Sequence, residues 1–142
     1  MENRYLYRAK RIDNGEWVEG FYFCMTHPDG RHTHHFIIPL GADLSCGTPI
    51  EKIQIEVDPS TICQCTGLRD KNGKLIWEND IMEAHLDDMF PDDITRTSVV
   101  WQKNGWVTIE SGSVDREPLD DFDTEHFVVV GNVFDNPELL EV

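Results

Sequence analysis

The chain has 142 residues, of which 39% are hydrophobic and 27% charged, so it suits one globular domain or two very small ones rather than a disordered chain. No apolar run approaches the roughly 18 residues that a membrane-crossing helix needs, and the first residues lack the pattern of a secretory signal, so we expect a cytoplasmic protein. Twelve basic and 27 acidic side chains give a net charge of −15, and residues 71–142, with 5 basic and 17 acidic side chains, carry −12, which disfavours direct binding to nucleic acid or an anionic membrane.

Three Asn-Gly pairs predict a series of β-hairpins along the chain. Asn14-Gly15, Asn72-Gly73 and Asn104-Gly105 each separate two apolar, aromatic-rich segments. Asn-Gly is the pair that type I′ turns favour, because both central residues need positive φ. The first hairpin pairs "YLYRAKR" with "EWVEGFYF", and the turn "HPDG" at 27–30 leads into the next strand, "HHFIIPL".

Two further strands are predicted after a loop rich in Gly, Ser and Pro. The segment "IEKIQIEV" at 50–57 alternates, with Ile53, Ile55 and Val57 two residues apart. The segment "TICQCTGL" at 61–68 places Ile62 on one face of a strand and its cysteines on the other. In a reducing compartment we expect all four cysteines to be free thiols: Cys24, Cys46, Cys63 and Cys65.

The second half opens with "KNGKLIWENDI" at 71–81, in which a turn precedes a short strand with Leu75 and Trp77 on one face and Ile76 on the other. The segment "NDIMEAHLDDMF" at 79–90 fits either a helix or a strand from Ile81 to about His85 followed by an acidic loop, and we prefer the strand. An explicit hairpin, "TSVVWQKNGWVTIES", comes next, followed by a long apolar strand, "EHFVVVGNVF". A short C-terminal helix is predicted from Asn136-Pro137-Glu138.

Four histidines cluster at the second hairpin: His27, His32, His34 and His35. His32 and His34 would share one face of a strand, an arrangement that is suitable for two metal ligands. Cys63 and Cys65 would complete a set of four ligands. The spacing nevertheless matches no standard zinc module. We therefore expect an exposed polar hairpin tip, with a His-cluster metal-binding protein or enzyme as the alternative.

Two acidic clusters distinguish the second half. Residues 78–93 hold seven acidic side chains and no Lys or Arg, and residues 115–125 hold six against Arg116 alone. We favour two solvated loops, because runs of charge usually solvate a face. The alternatives are a divalent-cation site and a phosphate-mimicking surface, that is, an acidic DNA mimic that blocks a nucleic-acid-binding protein. The candidate partner-binding surface consists of Asp87, Asp88, Asp92, Asp93, Asp120, Asp121 and Asp123.

The segments "YRAKRIDNGEWVEG", "DPSTICQCTGLRDKNGKLIWENDI" and "VVVGNVFDNPELL" resemble the YopX family of phage and prophage proteins. The resemblance covers about residues 4–23, 54–83 and 127–140 in three ordered blocks. Its most specific parts are Thr66-Gly67-Leu68, Asp70-Lys71-Asn72-Gly73 and Asp80-Ile81. Asn79 stands where the family usually has Gly, which the turn can survive because Asn tolerates the left-handed conformation. Cys65 stands where an aromatic residue is usual.

The resemblance implies a β-rich fold and a strand that starts at Ile81, but no catalytic residue and no ligand. We expect one mainly β domain over 1–142, with N-terminal β-hairpins in a subdomain 1–63 packed on a C-terminal SH3-like barrel in a subdomain 64–142, and a short C-terminal helix. Since no catalytic motif is present, the expected function is a non-enzymatic phage or prophage accessory protein without a cofactor. Its expected partners are a second copy of itself, through exposed edge strands, and a basic host protein.

Overall fold

The computed structural model describes residues 3–43, 45 and 47–141. It divides the chain into two compact units, Met1–Gln64 and Cys65–Val142. Among the described residues, 45% lie in strands and 14% in helices, in two antiparallel sheets with a short helix near the C-terminus, which confirms the mainly β prediction. Among the described residues no helix has the length and apolar character needed to cross a membrane.

The N-terminal unit is a set of antiparallel strands in the order β4-β3-β2-β1-β5. Its elements are β1 (Tyr7–Lys10), β2 (Trp17–Thr26), β3 (Thr33–Pro39), β4 (Ile55–Glu56), the first residues of β5 (Cys63–Arg69) and 3-10 helices at Asn3–Tyr5, Ile50–Lys52 and Pro59–Thr61. Lys10 pairs with Trp17 and Thr26 with Thr33, as the two predicted hairpins require. One buried hydrophobic cluster of this unit consists of Ala9, Val18, Ile37 and Val57.

The strand predicted over residues 50–57 is wrong for its first part. Pro49 lies at the N-cap of the 3-10 helix Ile50–Lys52, and the N–H groups of Ile53 and Gln54 both donate to the Ile50 carbonyl oxygen. These local hydrogen bonds replace the hydrogen bonds that a strand would make to its neighbours. Only at the end of the segment does the apolar pattern match burial, because Val57 is 1% exposed.

The C-terminal unit contains a sheet with the strand order β10-β9-β8-β7-β11. Its strands are β6 (Leu75–Trp77), β7 (Asp80–Ala84), β8 (Thr95–Gln102), β9 (Gly105–Glu110), β10 (Arg116–Pro118) and β11 (Val128–Asn132), with helix α1 (Asp121–His126) and a 3-10 helix at Pro137–Leu140. The rest of β5 pairs with β6. The buried cluster consists of Ile76, Met82, Ala84, Val99 and Phe127. The SH3-like barrel stays a prediction for this region.

Several boundaries differ from those predicted here. Strand β7 and the hairpin β8–β9 occur where the sequence indicates them, and a 3-10 helix begins at Pro137. The long strand predicted over 125–134 is shorter, because α1 takes its first residues. The acidic segment 115–125, interpreted as a solvated loop, contains β10 and most of α1. Reciprocal capping hydrogen bonds between Asp120 and Asp123 explain why so acidic a segment forms a helix.

The predicted type I′ turns are hairpin turns of other kinds. In the first two Asn-Gly pairs the positive φ belongs to Gly15 and Gly73, at 73° and 84°, and not to the preceding asparagines. In the third turn Lys103 has a φ of 53°, and Gly105 already belongs to β9. A longer loop with one left-handed glycine connects the strands in the first two cases, as in bulged hairpin turns.

Asp70 organises the segment that the sequence marks as most specific. Its side chain is 6% exposed, and Oδ1 accepts hydrogen bonds from the N–H groups of Asn72 (2.8 Å) and Lys74 (2.9 Å). Oδ2 accepts the N–H of Val129 at 2.9 Å, across 59 residues of chain. Asn79 has a φ of 68°, the left-handed conformation expected of it. The buried Asp70 carboxylate therefore links this turn to β11.

The residues of β6 are largely buried, and the predicted alternation of their faces stays a prediction. Ile76 and Trp77 are both buried, at 0% and 3% exposure, while Leu75 is half-buried.

Candidate functional site

A cavity of about 170 Å³ opens in the C-terminal unit, lined by residues of β8, β9, α1 and the loop after β7. Its polar residues are three threonines, a serine and four acidic residues, and its apolar walls come from Leu86, Phe122 and Phe127. We consider this cavity the candidate site, because a concave surface with converging polar groups is where ligands bind.

The strand pattern places the threonines. On β8, Thr95, Thr97 and Val99 are two residues apart and therefore share a face, of which Val99 belongs to the buried cluster. Val99 pairs with Thr108 of β9, and Thr97 and Thr108 are each 5% exposed. The hydroxyl of Thr97 has no hydrogen-bond partner among the described residues. A buried hydroxyl of this kind calls for an explanation.

Helix α1 places a carboxyl group in the same cavity. Asp120 Oδ1 accepts the N–H groups of Phe122 (3.1 Å) and Asp123 (3.4 Å), and Asp123 Oδ2 accepts the N–H of Asp120 (3.1 Å). Asp123 is 8% exposed. Burial raises the pKa of its carboxyl above the ordinary value, and the charges of Asp120 and Glu117 raise it further, against the lowering effect of the Asp120 N–H.

The cavity is therefore rich in acceptors and surrounded by negative charge. Glu110, Asp115 and Glu117 are exposed at its edge. Phe127 is 2% exposed, whereas Leu86 and Phe122 are 41% and 50% exposed. Such a site favours a ligand that is cationic and carries N–H donors at one end and apolar groups at the other.

The predicted acidic surface is divided by the structure. Four of its members lie in the exposed loop between β7 and β8: Asp87, Asp88, Asp92 and Asp93. Asp120 and Asp121 are exposed at the start of α1. Asp123 does not belong to an exposed surface, because the capping hydrogen bonds turn its carboxyl inward.

Three of the four histidines predicted at the second hairpin contact acidic side chains, whereas His35 Nδ1 lies 2.7 Å from the Tyr22 hydroxyl. The Nδ1 atoms of His27 and His32 lie 3.4 and 3.2 Å from Asp29, whose pKa is lowered chiefly by the Arg31 N–H it accepts. His34 Nδ1 lies 2.8 Å from Glu56. In the part of the chain that the structure describes, no three His, Cys, Asp or Glu side chains are grouped to hold a metal ion.

The two cysteines of the predicted four-ligand metal site are buried. Cys63 and Cys65 are 0% exposed, and their Sγ atoms lie 3.2 and 4.0 Å from the carbonyl oxygens of Thr61 and Ile76. Cys24 is an exposed free thiol, Cys63 and Cys65 are buried, and Cys46 lies outside the described residues. This geometry does not favour the metal alternative.

Sequence reasoning missed the cavity because its lining comes from distant segments. One signal was present for Thr97, whose position two residues before the buried Val99 indicates an inward side chain. The spacing of Asp120 and Asp123 was a second signal, since it is that of a capping box. Nothing in the sequence indicated that Leu86 and Phe122 would line the same cavity.

Comparisons with known proteins concern the whole chain. A family model described as YopX protein matches residues 6–141. A comparison with curated proteins finds no match. Among solved structures, the crystal structure of protein EF1440 from Enterococcus faecalis is similar, with a TM-score of 0.55 and 25% sequence identity, over 95% of this chain and 96% of that one. The similarity therefore extends over both units.

Proposed function

The chain belongs to the YopX family, and from that premise we propose that it is a non-enzymatic phage or prophage accessory protein that binds a basic protein in the bacterial cytoplasm. The phage context comes from the family resemblance. The acidic half of the chain supports the choice of partner, because a net charge of −12 over residues 71–142 attracts positive surfaces and repels nucleic acid.

One observation carries the proposal, namely the composition of the exposed loop at residues 85–94. Met89 and Phe90 in this loop are 82% and 60% exposed. Large apolar side chains rimmed by charge are typical of protein-binding surfaces, since they add little to solubility. They are flanked on both sides by acidic pairs, Asp87 and Asp88 before and Asp92 and Asp93 after. A segment with basic and apolar side chains is the complementary partner.

A second copy of the chain is the other partner we propose. In the N-terminal unit, the Arg8 guanidinium and the Lys10 ammonium lie 4.9 and 5.4 Å from the ring of Trp17. Glu19 pairs with Arg8 across the two strands, so this face combines two cations and an aromatic ring with one carboxylate, and we expect the acidic loop of a second copy to contact the cations. Sedimentation equilibrium at low and high salt tests this version, because an association between these faces weakens as salt rises.

The experiment for a host partner has two steps. Tagged protein captures its partner from a lysate of the bacterium that carries the gene, and mass spectrometry identifies it. The purified partner is then titrated calorimetrically against two variants of equal net charge. One variant has Asp→Asn at the loop residues Asp87, Asp88, Asp92 and Asp93. The matched control neutralises four exposed residues of the N-terminal unit, namely Glu16, Glu19, Asp43 and Glu51.

We expect the loop variant to bind at least about tenfold more weakly and the control variant to bind normally, with affinity falling as salt rises. Affinity that is indifferent to salt and to the loop substitutions would refute the proposed surface.

A DNA mimic is the second candidate function, favoured by the spaced acidic pairs of the same loop. In that case the captured partner is a nucleic-acid-binding protein, and duplex DNA displaces it from this chain. A partner that binds DNA and this chain simultaneously would exclude mimicry while leaving the acidic binding surface intact.

A further inference from the structure

The cavity described above has the size of one side chain. Ligand pockets for drug-sized molecules have volumes of roughly 300–1,000 Å³, whereas this cavity measures about 170 Å³. Interfaces often place a single anchoring side chain of the partner in such a pocket. The cavity also opens beside Leu86, which belongs to the exposed loop at residues 85–94.

The polar groups of the cavity favour a ligand that carries a positive charge and hydrogen-bond donors. The Thr97 hydroxyl is buried without a hydrogen-bond partner among the described residues, and Thr108 lines the same cavity. Asp123 is buried beside the charges of Asp120 and Glu117, which oppose its ionisation. A cation in the cavity would offset this repulsion and give Asp123 a hydrogen bond to its charged form.

We propose that the cavity binds the ammonium group of a lysine side chain of the partner protein. The ammonium would donate to Asp123, Thr97 and Thr108, and its methylene stem would pack on Phe122 and Phe127. This inference deepens the proposed function and rests on it, because it names the side chain by which a basic partner is held.

Lysine fits better than arginine for a geometric reason. A guanidinium binds a carboxylate best through both oxygens at once. Asp123 Oδ2 already accepts the N–H of Asp120 at 3.1 Å, so one oxygen of the pair is engaged. An ammonium is a compact charge with three donors, and it can use one carboxylate oxygen and two hydroxyls.

The test uses the full chain and small probes followed by methyl and amide NMR. The probe is Nα-acetyl-lysine N-methylamide, and the uncharged control is the norleucine analogue, which keeps the stem and lacks the charge. We expect the lysine probe to shift the Thr97 and Thr108 methyl signals saturably, with a Kd on the order of millimolar. The norleucine probe should leave them unchanged, and the arginine analogue should bind more weakly than lysine.

Variants separate binding from folding. Thr97→Val keeps the side-chain shape and removes the unpartnered hydroxyl, so the protein should fold with an unchanged or higher Tm while probe affinity falls at least about fivefold. Ser98→Ala on the opposite face of β8 is the matched control and should bind normally. Asp123→Asn should lose more affinity than Thr97→Val.

Three results would overturn the lysine site: cavity methyl signals that do not move with the lysine probe, equal shifts with the norleucine probe, or normal binding by Thr97→Val. A free diamine such as butane-1,4-diamine that binds far more tightly than the lysine probe would show that the occupant is a small molecule. The proposed function can survive these failures, because its loop variant is tested separately against the purified partner.

Discussion

Replacing Asp70 by alanine removes the acceptor of three backbone N–H groups, those of Asn72, Lys74 and Val129. Hydrogen bonds to a charged acceptor contribute about 1.5–3 kcal/mol each. The two N–H groups of the turn can recover water, so we expect a loss of about 3–4 kcal/mol rather than the full sum. That is a large part of the roughly 5–15 kcal/mol that stabilises a domain.

Urea unfolding followed by tryptophan fluorescence measures this loss. Asp70→Asn keeps one acceptor oxygen but turns an amide N–H₂ toward one of the donors, so its loss should be about half as large. Lys71→Ala is the control, since this neighbour is exposed and its N–H still donates to the Phe127 carbonyl. If Asp70→Ala unfolds within about 1 kcal/mol of Lys71→Ala, the three hydrogen bonds do not hold this region together.

Three further predictions follow from burial and contact. Gly20→Ala should cost about 3 kcal/mol of unfolding free energy in a denaturant titration, because the new Cβ would overlap the Ile38 carbonyl oxygen; a cost below about 1 kcal/mol would contradict the close approach. The raised pKa of Asp123 means that its ionised form destabilises the fold at neutral pH. The Tm of the wild type should therefore rise relative to the Tm of Asp123→Asn as pH falls toward 3.8, and a Tm difference that does not change with pH would contradict this. Iodoacetamide with peptide mass spectrometry should label exposed Cys24 in the native protein and buried Cys63 only after unfolding; equal labelling would contradict this burial.

The sequence predicts most of the hairpins because their determinants are local. A turn such as "HPDG" and the apolar segments beside it lie within a few residues, and β2 and β3 pair where these signals place them. The strand at Ile81 required the family resemblance in addition, because Asp80 and Glu83 fit a helix cap equally well. The predictions for residues 50–57 and 121–126 failed for the same reason. In each segment short-range hydrogen bonds decide the structure instead of apolar periodicity, those of a turn that follows Pro49 in the first and those of a capping box in the second.

The candidate site could be predicted only in part, because it depends on pairing between distant strands. The acidic character of residues 115–125 is visible in the sequence, but the inward turn of Asp123 is not. Thr97 and Thr108 come together only through the register of β8 against β9, in which Val99 faces Thr108. Which of several threonines lacks a hydrogen-bond partner is a property of the packed structure alone.

The hydrogen bond from Val129 to Asp70 has a consequence for synthesis on the ribosome. At about 5–20 residues per second, the 59 residues from Lys71 to Val129 take about 3–12 s to translate. During that interval one oxygen of the Asp70 carboxylate lacks the Val129 donor, and the edge of β7 that later pairs with β11 is bare. A bare strand edge can pair with another chain. We therefore expect nonsense fragments that end near residue 126, and so lack β11, to accumulate as insoluble material.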